Sequence, residues 1–224
     1  MYVTAIVLAA GSGIRLKSKA SKALVELGGK PLIIHSLKTI SSNPQVKEII
    51  VAANPLNKKQ ILERIEKYKI PKIKSIVLGG RERKDSVFNA LKQVSSEAGM
   101  VLIHDAARPL IAASEVARLI KEAGKFGAAI LGVPVKSTIK KAGAGFISKT
   151  LDRNNLWEAQ TPQAFKKDLI LSAYKRFKHL KATDDAMLVE KLGARVRIIE
   201  GSYRNIKITT REDLITAQAL LKTI

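Results

Sequence analysis

Short apolar runs alternate with amphipathic segments along most of this chain, and this alternation limits its possible folds more than any other feature. The first run, VTAIVLAA, is nearly all apolar, as expected of a strand that is buried on both faces. Further runs of this kind are EIIVAA, KSIVLGG, MVLIHD and AAILGVPV, and the segments between them carry apolar residues at helical spacing. Strands that alternate with helices predict a parallel sheet with helices on both faces, so we expect an α/β fold.

The alternation breaks at residues 136–153, where β-branched residues lie on both sides of Gly143-Ala144-Gly145. This pattern predicts a β-hairpin with a short glycine turn. A hairpin is too small to be stable by itself, so we expect it to project and to pack on another subunit. At 224 residues the chain is most simply one domain. We therefore predict a single domain over residues 1–224 with a projecting dimerisation arm at about 136–155.

The same patterns predict local elements around the hairpin. Ser114 is expected to cap a helix over residues 114–126, and Thr183 is expected to cap a helix over residues 184–192. After the hairpin we expect a helix at residues 166–177, strands at ARVRIIEG and NIKITT, and a closing helix at residues 211–221.

The formal net charge of +21 leaves three interpretations open. An excess of cations is typical of nucleic-acid-binding proteins, it steers small polyanionic substrates to a cleft, and it also occurs on lysine-rich surfaces that only aid solubility. Aromatic residues make up only 4%, too few for obvious base-stacking platforms, and the cations are spread along the chain, so we expect no nucleic-acid partner. The absence of cysteine and of a long apolar segment predicts a cytoplasmic protein without a membrane partner.

Glycines, hydroxyls, arginines and single carboxylates follow the predicted strands. AAGSGIR follows the first strand, GGRERKDS the third and HDAARP the fourth, and NIKITT lies near the C-terminus. In an open α/β sheet, ligands bind beyond the carboxyl ends of the strands. Together these segments predict a site for a phosphorylated, polar ligand.

The first of these loops does not match two common phosphate-binding motifs. A P-loop requires GxxxxGK[ST], which occurs nowhere in the chain, and a dinucleotide site requires GxGxxG with an acidic residue after the second strand. Gly11-Ser12-Gly13 is followed by no third glycine, and the second strand ends without an acidic residue. What remains is a glycine turn whose amides can hold an anion, followed by Arg15 and Lys22. These cations can close over a triphosphate, or they are solvated cations of an ordinary glycine loop.

Several motifs in a fixed order carry a family resemblance. LAAGSGIR followed by SKALVELGGKPLI resembles the nucleotide-binding signature of nucleotidyltransferases that act on sugar and polyol phosphates. GGRERKDSV, HDAARP, TLDRNNLWEAQTPQAF, TDDAMLVEKLG and NIKITTREDL follow in this order. Over residues 3–221 the motifs together resemble the 2-C-methyl-D-erythritol 4-phosphate cytidylyltransferase family of the non-mevalonate isoprenoid pathway. The combination of HDAARP, QTPQAF and NIKIT is the most specific part.

The resemblance implies a fold and a reaction. The fold is a Rossmann-like three-layer nucleotidyltransferase domain with a mostly parallel central sheet and an inserted hairpin arm, which completes the site of the partner subunit in a homodimer. In the reaction, a phosphate oxygen of 2-C-methyl-D-erythritol 4-phosphate attacks the α-phosphorus of CTP, and pyrophosphate leaves. The sister activity, ribitol 5-phosphate cytidylyltransferase, is the alternative. A divalent cation, most simply Mg²⁺, is expected to bridge the phosphates of CTP.

The resemblance also assigns roles to residues of this sequence. Arg15 and Lys22 are expected to stabilise the transition state, and Arg153 and Lys207 to position the substrate phosphate. The residues expected to bind CTP are Ala9, Ala10, Gly11, Ser12, Gly13, Gly80 and Ser86. The residues expected to bind the polyol phosphate are Asp105, Arg108, Thr138, Arg153 and Lys207, and Asp105 is also expected near the metal.

Four positions depart from the family pattern, and two of them are Ala23 and Leu24, where a glutamine and a tyrosine often follow the lysine of the loop. Ser21 stands where a proline usually precedes the lysine of the loop, and Ser137 stands where an aspartate is expected before Thr138. The departure at Ser137 removes one negative charge beside the arm. None of the four departures falls on a residue that is expected to transfer the nucleotide.

Overall fold

The computed structural model describes residues 1–11 and 21–223 of the chain. In chain order, its strands are β1 (Val3–Leu8), β2 (Glu26–Leu27), β3 (Lys30–Pro31), β4 (Val46–Ala53), β5 (Ile73–Leu78), β6 (Met100–Asp105), β7 (Ala128–Pro134), β8 (Ile139–Gly143), β9 (Phe146–Leu151), β10 (Trp157–Lys166) and β11 (Arg197–Glu200). The α-helices are α1 (Leu32–Ser42), α2 (Lys58–Lys67), α3 (Arg83–Leu91), α4 (Ala113–Phe126), α5 (Lys167–Arg176), α6 (Ala186–Lys191) and α7 (Arg211–Leu221). A 3-10 turn at Lys22–Leu24 precedes β2. Over the described part of the chain, none of these helices has both the length and the apolar character that crossing a membrane requires.

The central sheet has seven strands in the order β11-β7-β10-β6-β1-β4-β5. β1 lies parallel to β4 and to β6, β4 lies parallel to β5, and β11 lies parallel to β7. β10 runs antiparallel to both of its neighbours, β6 and β7. This mostly parallel sheet, flanked by helices, confirms the predicted fold class.

Helices cover both faces of the sheet because successive residues of each strand point to opposite sides. Ala5 and Val7 of β1 pack in a cluster with α1, α2 and α4, whereas Ile6 packs in a cluster with α3, α5 and α6. The residues that α4 buries are spaced as one helix face, and they include Val116, Leu119, Ile120 and Ala123. Burial on both faces explains why the strands are continuous apolar runs in the sequence.

Strand β10 was not predicted from the sequence. Its sequence, WEAQTPQAFK, contains a proline and polar residues that become buried, so it lacks an apolar run. Hydrogen bonds satisfy the buried amides: Nε2 of Gln160 donates to the carbonyl of Ser202 at 2.9 Å, and Nε2 of Gln163 donates to the carboxylate of Asp184 at 2.8 Å. β10 therefore occupies what was expected to be a connection, and it brings Thr161 beside β6.

Both predicted helix caps were wrong. Ser114 lies inside α4, and the backbone N–H of Ala112 donates instead to the carboxylate of Glu115. At the start of α6, the backbone N–H of Met187 donates to Asp184 rather than to Thr183. In both cases a longer carboxylate side chain near the helix start takes the role that was given to a hydroxyl.

The segment NIKITT, predicted as a strand, is irregular. The backbone N–H of Ile208 donates to the carbonyl of Ala107 at 2.8 Å, and no ladder continues from this bond over the described residues. A single backbone bond is enough to attach the segment to the loop after β6. The bond brings the segment that carries Lys207 next to the end of β6.

The hairpin forms where the sequence predicted it. β8 and β9 pair antiparallel, and Ala144 and Gly145 connect them with φ values of 48° and 83°. Positive φ at both positions is what a two-residue hairpin turn of the primed type requires. At its tip the side chains of Phe146 and Ile147 are 79% and 65% exposed.

Candidate active site

A cleft of about 430 Å³ lies at the carboxyl edge of the sheet, where the strand order reverses. From β1 the chain continues to β4 and β5 on one side, whereas β6 lies on the other side of β1. The loops after β1 and β6 therefore separate and leave a crevice, which is the usual ligand position in such sheets. Residues 8–11 after β1, residues 80–83 after β5, residues 105–107 after β6, and Lys22 and Lys207 all line this cleft.

Asp105, the last residue of β6, pairs with two cationic side chains in the cleft. Its Oδ1 accepts a hydrogen bond from Nε of Arg83 at 3.1 Å, and its Oδ2 accepts one from Nζ of Lys207 at 2.6 Å. Burial alone would raise the pKa of Asp105, but Arg83 and Lys207 outweigh burial and hold this pKa well below its usual range. Asp105 therefore stays ionised and fixes two cations beside the cleft.

Arg83, the first residue of α3, links Asp105 to a second buried carboxylate. Its Nη2 donates to Oδ2 of Asp185 at 2.8 Å, and Oδ1 of Asp185 accepts from the hydroxyl of Tyr174 at 2.5 Å. Burial alone would lower the pKa of Arg83, but Asp185 and Asp105 raise this pKa above its ordinary value. The guanidinium of Arg83 thus pairs with two carboxylates. It connects Asp105, at the end of β6, with Asp185, at the start of α6.

The hydrogen bonds around His104 assign its tautomer. Oγ1 of Thr161 accepts from the backbone N–H of Asp105 at 3.0 Å, so its own hydrogen is available to Nδ1 of His104 at 3.2 Å. Nε2 of His104 then donates to the carbonyl of Arg108 at 3.2 Å. Burial lowers the pKa of His104 to about 4, so the imidazole is neutral. His104 therefore acts as a neutral connection between β10 and the loop after β6.

We expect His104 to make the stability of the protein depend on pH. Its folded pKa of about 4 lies below the ordinary value of 6.5, so the unfolded state binds a proton first as the pH falls. From pH 6.5 to pH 4 the free energy of unfolding should fall by about 3 kcal/mol on account of this group. Urea unfolding of His104→Gln at several pH values should show a flatter dependence over this range than the wild type shows.

The control is His179→Gln, which makes the same substitution at an exposed histidine. A His104→Gln protein that loses as much stability as the wild type between pH 6.5 and pH 4 would contradict the assignment of a neutral, buried imidazole.

The loop after β5 is held close to the cleft by a glycine and a serine. The backbone N–H of Gly80 donates to Oγ of Ser86 at 3.1 Å, and this hydroxyl lies 3.2 Å from the carbonyl of Glu82, to which it donates. A Cβ atom on Gly80 would lie 2.1 Å from Cβ of Asp85, so the loop has room only for glycine. The hydroxyl of Ser86 therefore stabilises the conformation of the loop. At Gly80, which has no side chain, the backbone of the loop lines the cleft.

Buried hydrogen bonds hold the segment that carries Lys207. Nδ2 of Asn205, a fully buried residue, donates to the carbonyl of Thr161 at 2.9 Å. Nη1 of Arg108 donates to the carbonyl of Asn205 at 2.7 Å. Burial lowers the pKa of Arg108, and its buried Nε has no hydrogen-bond partner among the described residues. Arg108 thus joins the loop after β6 to the C-terminal segment.

The structure brings part of the predicted site together. The predicted residues that line the cleft are Ala9, Ala10, Gly11, Lys22, Gly80, Ser86, Asp105 and Lys207. Ser12, Gly13 and Arg15 lie outside the described residues. Thr138 and Arg153 are exposed beside the hairpin, where a guanidinium nitrogen of Arg153 donates to the carbonyl of Lys136. Within the described part of the chain, neither of these two nor Arg108 lines the cleft.

Arg83, Thr161 and Asp185 were not predicted from the sequence as site residues. Arg83 is part of GGRERKDSV and Asp185 is part of TDDAMLVEKLG, so both motifs were recognised without these residues being chosen. Each motif contains several charged residues, so nothing in the local sequence singled out Arg83 or Asp185 among them. Nothing singled out Thr161 either, because its role depends on the position of β10.

The carboxylate of Asp105 is suited to a metal ion that has few protein ligands. Among the described residues, no three His, Asp or Glu side chains form a metal cluster. Each oxygen of Asp105 accepts from one cation, and an ionised carboxylate has about four acceptor positions. Asp105 therefore retains positions for one metal contact, which suits Mg²⁺ that is held mainly by substrate phosphates and water.

Comparisons with known proteins identify relatives over the whole length of the chain. The family model for 2-C-methyl-D-erythritol 4-phosphate cytidylyltransferase matches residues 3–223. A protein of that name from Shouchella clausii is 46% identical over 224 residues, which cover 99% of this chain and 97% of the relative. A crystal structure of 4-diphosphocytidyl-2C-methyl-D-erythritol synthase from Anaerococcus prevotii superposes with a TM-score of 0.86 at 33% identity, covering 99% of this chain and 98% of the other. A cytidylyltransferase structure from Thermus thermophilus gives a TM-score of 0.81 at 31% identity, with 99% and 100% covered.

Proposed function

We infer that this chain, which belongs to the 2-C-methyl-D-erythritol 4-phosphate cytidylyltransferase family, transfers the cytidylyl group of CTP to 2-C-methyl-D-erythritol 4-phosphate. The match of the family model to residues 3–223 is the observation that carries this function. A phosphate oxygen of the acceptor forms a new bond to the α-phosphorus, and the bond from that phosphorus to the bridging oxygen of the β-phosphate breaks. The products are 4-diphosphocytidyl-2-C-methyl-D-erythritol and pyrophosphate.

We propose that the enzyme accelerates the reaction mainly by stabilising negative charge on the phosphates with groups that line the cleft. Phosphoryl-type transfer needs positioning and charge stabilisation more than covalent help. Residues 9–11 and Lys22 line the cleft, which supports a role in holding the triphosphate and in neutralising the charge that grows around the α-phosphorus. The same role is proposed for Arg15, together with anion binding by the backbone of Ser12 and Gly13, on the basis of the family motif.

We propose that the loop after β5 reads the cytosine through its backbone. A backbone carbonyl accepts from an exocyclic amino group, and Gly80 lies at the cleft where such a contact is possible. Ser86 supports this role indirectly, because its hydroxyl accepts from the N–H of Gly80. The close approach of Gly80 to Asp85 leaves no room for a side chain at this position.

We propose Asp105 as the protein ligand of a divalent cation, most simply Mg²⁺. When bound, such an ion neutralises phosphate charge and orients the triphosphate. Asp105 itself stays ionised and holds Lys207 at 2.6 Å, so the chain presents a fixed cation beside the place of the acceptor phosphate. Lys207 can therefore position this phosphate. Arg108 stabilises the segment that carries Lys207 through its hydrogen bond to the carbonyl of Asn205.

We further propose a homodimer in which the hairpin arm of each subunit completes the site of the other. Phe146 and Ile147 at the tip are exposed apolar residues that a partner would cover. Thr138 and Arg153 flank the hairpin rather than the cleft of their own chain, so a second chain has to supply them if they contact the acceptor. The absence of cysteine is in keeping with a reducing, cytoplasmic location, which we also propose.

The arm proposal predicts complementation between two impaired variants. Arg153→Ala should lower kcat/KM for the polyol phosphate about tenfold or more, the scale of a lost charged hydrogen bond, and should leave the KM for CTP nearly unchanged. In an equal mixture with Lys22→Ala, half of the dimers are mixed and each has one intact site of two, so about a quarter of wild-type activity should return. Activity no greater than the average of the two variants after subunit exchange would contradict an arm that acts on the partner.

A substrate matrix tests the function itself. Pyrophosphate release is measured with each of the four nucleoside triphosphates against 2-C-methyl-D-erythritol 4-phosphate and ribitol 5-phosphate, with and without Mg²⁺. We expect release with CTP, 2-C-methyl-D-erythritol 4-phosphate and Mg²⁺ together. Faster release with ribitol 5-phosphate would overturn the acceptor. Tight, salt-sensitive DNA binding that CTP does not displace would favour a nucleic-acid role for the net charge of +21.

A further inference from the structure

Two asparagines form a pair at the start of α2, just beyond the carboxyl end of β4. The backbone N–H of Asn54 donates to Oδ1 of Asn57, and the backbone N–H of Asn57 donates to Oδ1 of Asn54, both at 2.9 Å. Asn57 is fully buried. An asparagine at this position of a helix usually accepts from a backbone N–H in the first turn, but Asn57 makes no such bond. Its side chain therefore has a purpose other than capping α2.

The orientation of the Asn57 amide follows from its partners. Because Oδ1 accepts from the N–H of Asn54, Nδ2 has to face the other way, with both of its hydrogens available. One hydrogen goes to the carbonyl of Ala9 at 2.9 Å, and the other goes to Oγ of Ser21 at 2.6 Å. Asn54 adds a parallel contact, since its Nδ2 donates to the carbonyl of Ala10 at 3.1 Å. The pair thus connects the end of β1 with the residue directly before Lys22.

Ser21 and Lys22 belong to one hydrogen-bonded turn. The backbone N–H of Leu24 donates to the carbonyl of Ser21 at 2.8 Å, and the N–H of Val25 donates to the carbonyl of Lys22 at 3.3 Å. Fixing the side chain of Ser21 therefore fixes the turn that carries Lys22. The same amide group holds Ala9, which lines the cleft together with Lys22.

We propose that Asn57 is a positioning residue that places Lys22 against residues 9–11 of the cleft through its hydrogen bond to Ser21. This inference rests on the proposed function, because Lys22 is the cation assigned to the transition state. Misplacing a cation that acts in the transition state slows the chemical step more than it weakens ground-state binding. Asn57 itself is buried behind the loop and does not line the cleft.

Ser21→Ala tests this role with little risk to folding, since Ser21 is only partly buried. It should lower kcat about tenfold, the scale of one hydrogen bond, with the KM for CTP changed less than about twofold. Ser21→Thr keeps the hydroxyl and should restore kcat to near the wild-type value. Asn57→Ala should lower kcat by at least as much as Ser21→Ala does, and adding Ser21→Ala to it should cause no further loss, because both changes remove the same bond.

A second measurement does not depend on activity. Hydrogen exchange of the Leu24 amide, which bonds to Ser21, should be several times faster in Ser21→Ala and in Asn57→Ala than in the wild type. The matched control is Ser41→Ala, which removes a serine bond to the carbonyl of Lys38 near the end of α1 and should change neither exchange nor kcat.

Three results would overturn the inference: a wild-type kcat in Ser21→Ala, a Ser21→Thr protein as slow as Ser21→Ala, or unchanged exchange of the Leu24 amide in Ser21→Ala. If the first of these results came with a raised KM for CTP, the bond would serve binding alone. If the wild type releases no pyrophosphate from CTP and 2-C-methyl-D-erythritol 4-phosphate, the proposed function fails. The exchange measurement still decides whether Asn57 positions the turn.

Discussion

Lys22→Ala is expected to lower kcat about a hundredfold or more, because it removes one charge contact to the transition state. In the proposed reaction, charge grows on the phosphate oxygens as phosphorus expands its coordination, and Lys22 and residues 9–11 line the cleft that would hold these oxygens. The triphosphate in the ground state still meets the backbone of residues 9–11, so the KM for CTP should rise only modestly. Single-turnover measurements of pyrophosphate release would separate the chemical step from product release.

Two further variants sharpen this test. Lys22→Arg keeps the charge but replaces a compact ammonium by a larger, planar guanidinium. Its kcat should therefore lie between those of Lys22→Ala and the wild type. Lys121→Ala removes an exposed lysine on α4 and should leave kcat unchanged, which controls for the lower net charge. A Lys22→Ala protein whose kcat lies within threefold of the wild-type value would show that Lys22 has no role in the chemical step.

The fold class followed from the sequence because burial on both faces of a sheet leaves a clear pattern. The apolar runs of β1, β4, β6 and β7 could be recognised without knowledge of their partners. β10 could not, because its inward side chains at Gln160, Thr161 and Gln163 are polar. Their burial is tolerated only because Ser202, Asp184 and other distant groups supply hydrogen bonds, which no local pattern records.

The site was predictable where motif and strand end coincide. Asp105 ends a strand inside HDAARP, and Gly80 follows a strand inside GGRERKDSV, so both were predicted at the site, and both line the cleft. Arg83 and Asp185 were missed because their importance lies in a contact between positions 102 residues apart. Asn57 was missed for a related reason: its amide acts on Ala9 and Ser21, and neither contact follows from the sequence around Asn57.

Arg83→Met is expected to lower the free energy of unfolding at pH 7 by about 3–5 kcal/mol, because removing one partner leaves an uncompensated buried charge. Asp105 would keep Lys207 at 2.6 Å, but Asp185, which is fully buried, would keep the hydroxyl of Tyr174 and lose its ion pair. Urea unfolding measures the loss directly. Arg195→Met, which replaces an exposed arginine, should change stability by less than about 0.5 kcal/mol.

The cause of that loss can be tested by neutralising the carboxylate that is left behind. In the Arg83→Met background, Asp185→Asn removes the buried negative charge, so it should recover at least half of the lost stability. It should not recover activity to the same extent, because Asp105 still lacks one of the two cations that hold it beside the cleft. A double variant that is no more stable than Arg83→Met would mean that packing around the guanidinium, rather than its charge, stabilises this layer. A double variant with full activity would mean that Lys207 alone is enough to position Asp105.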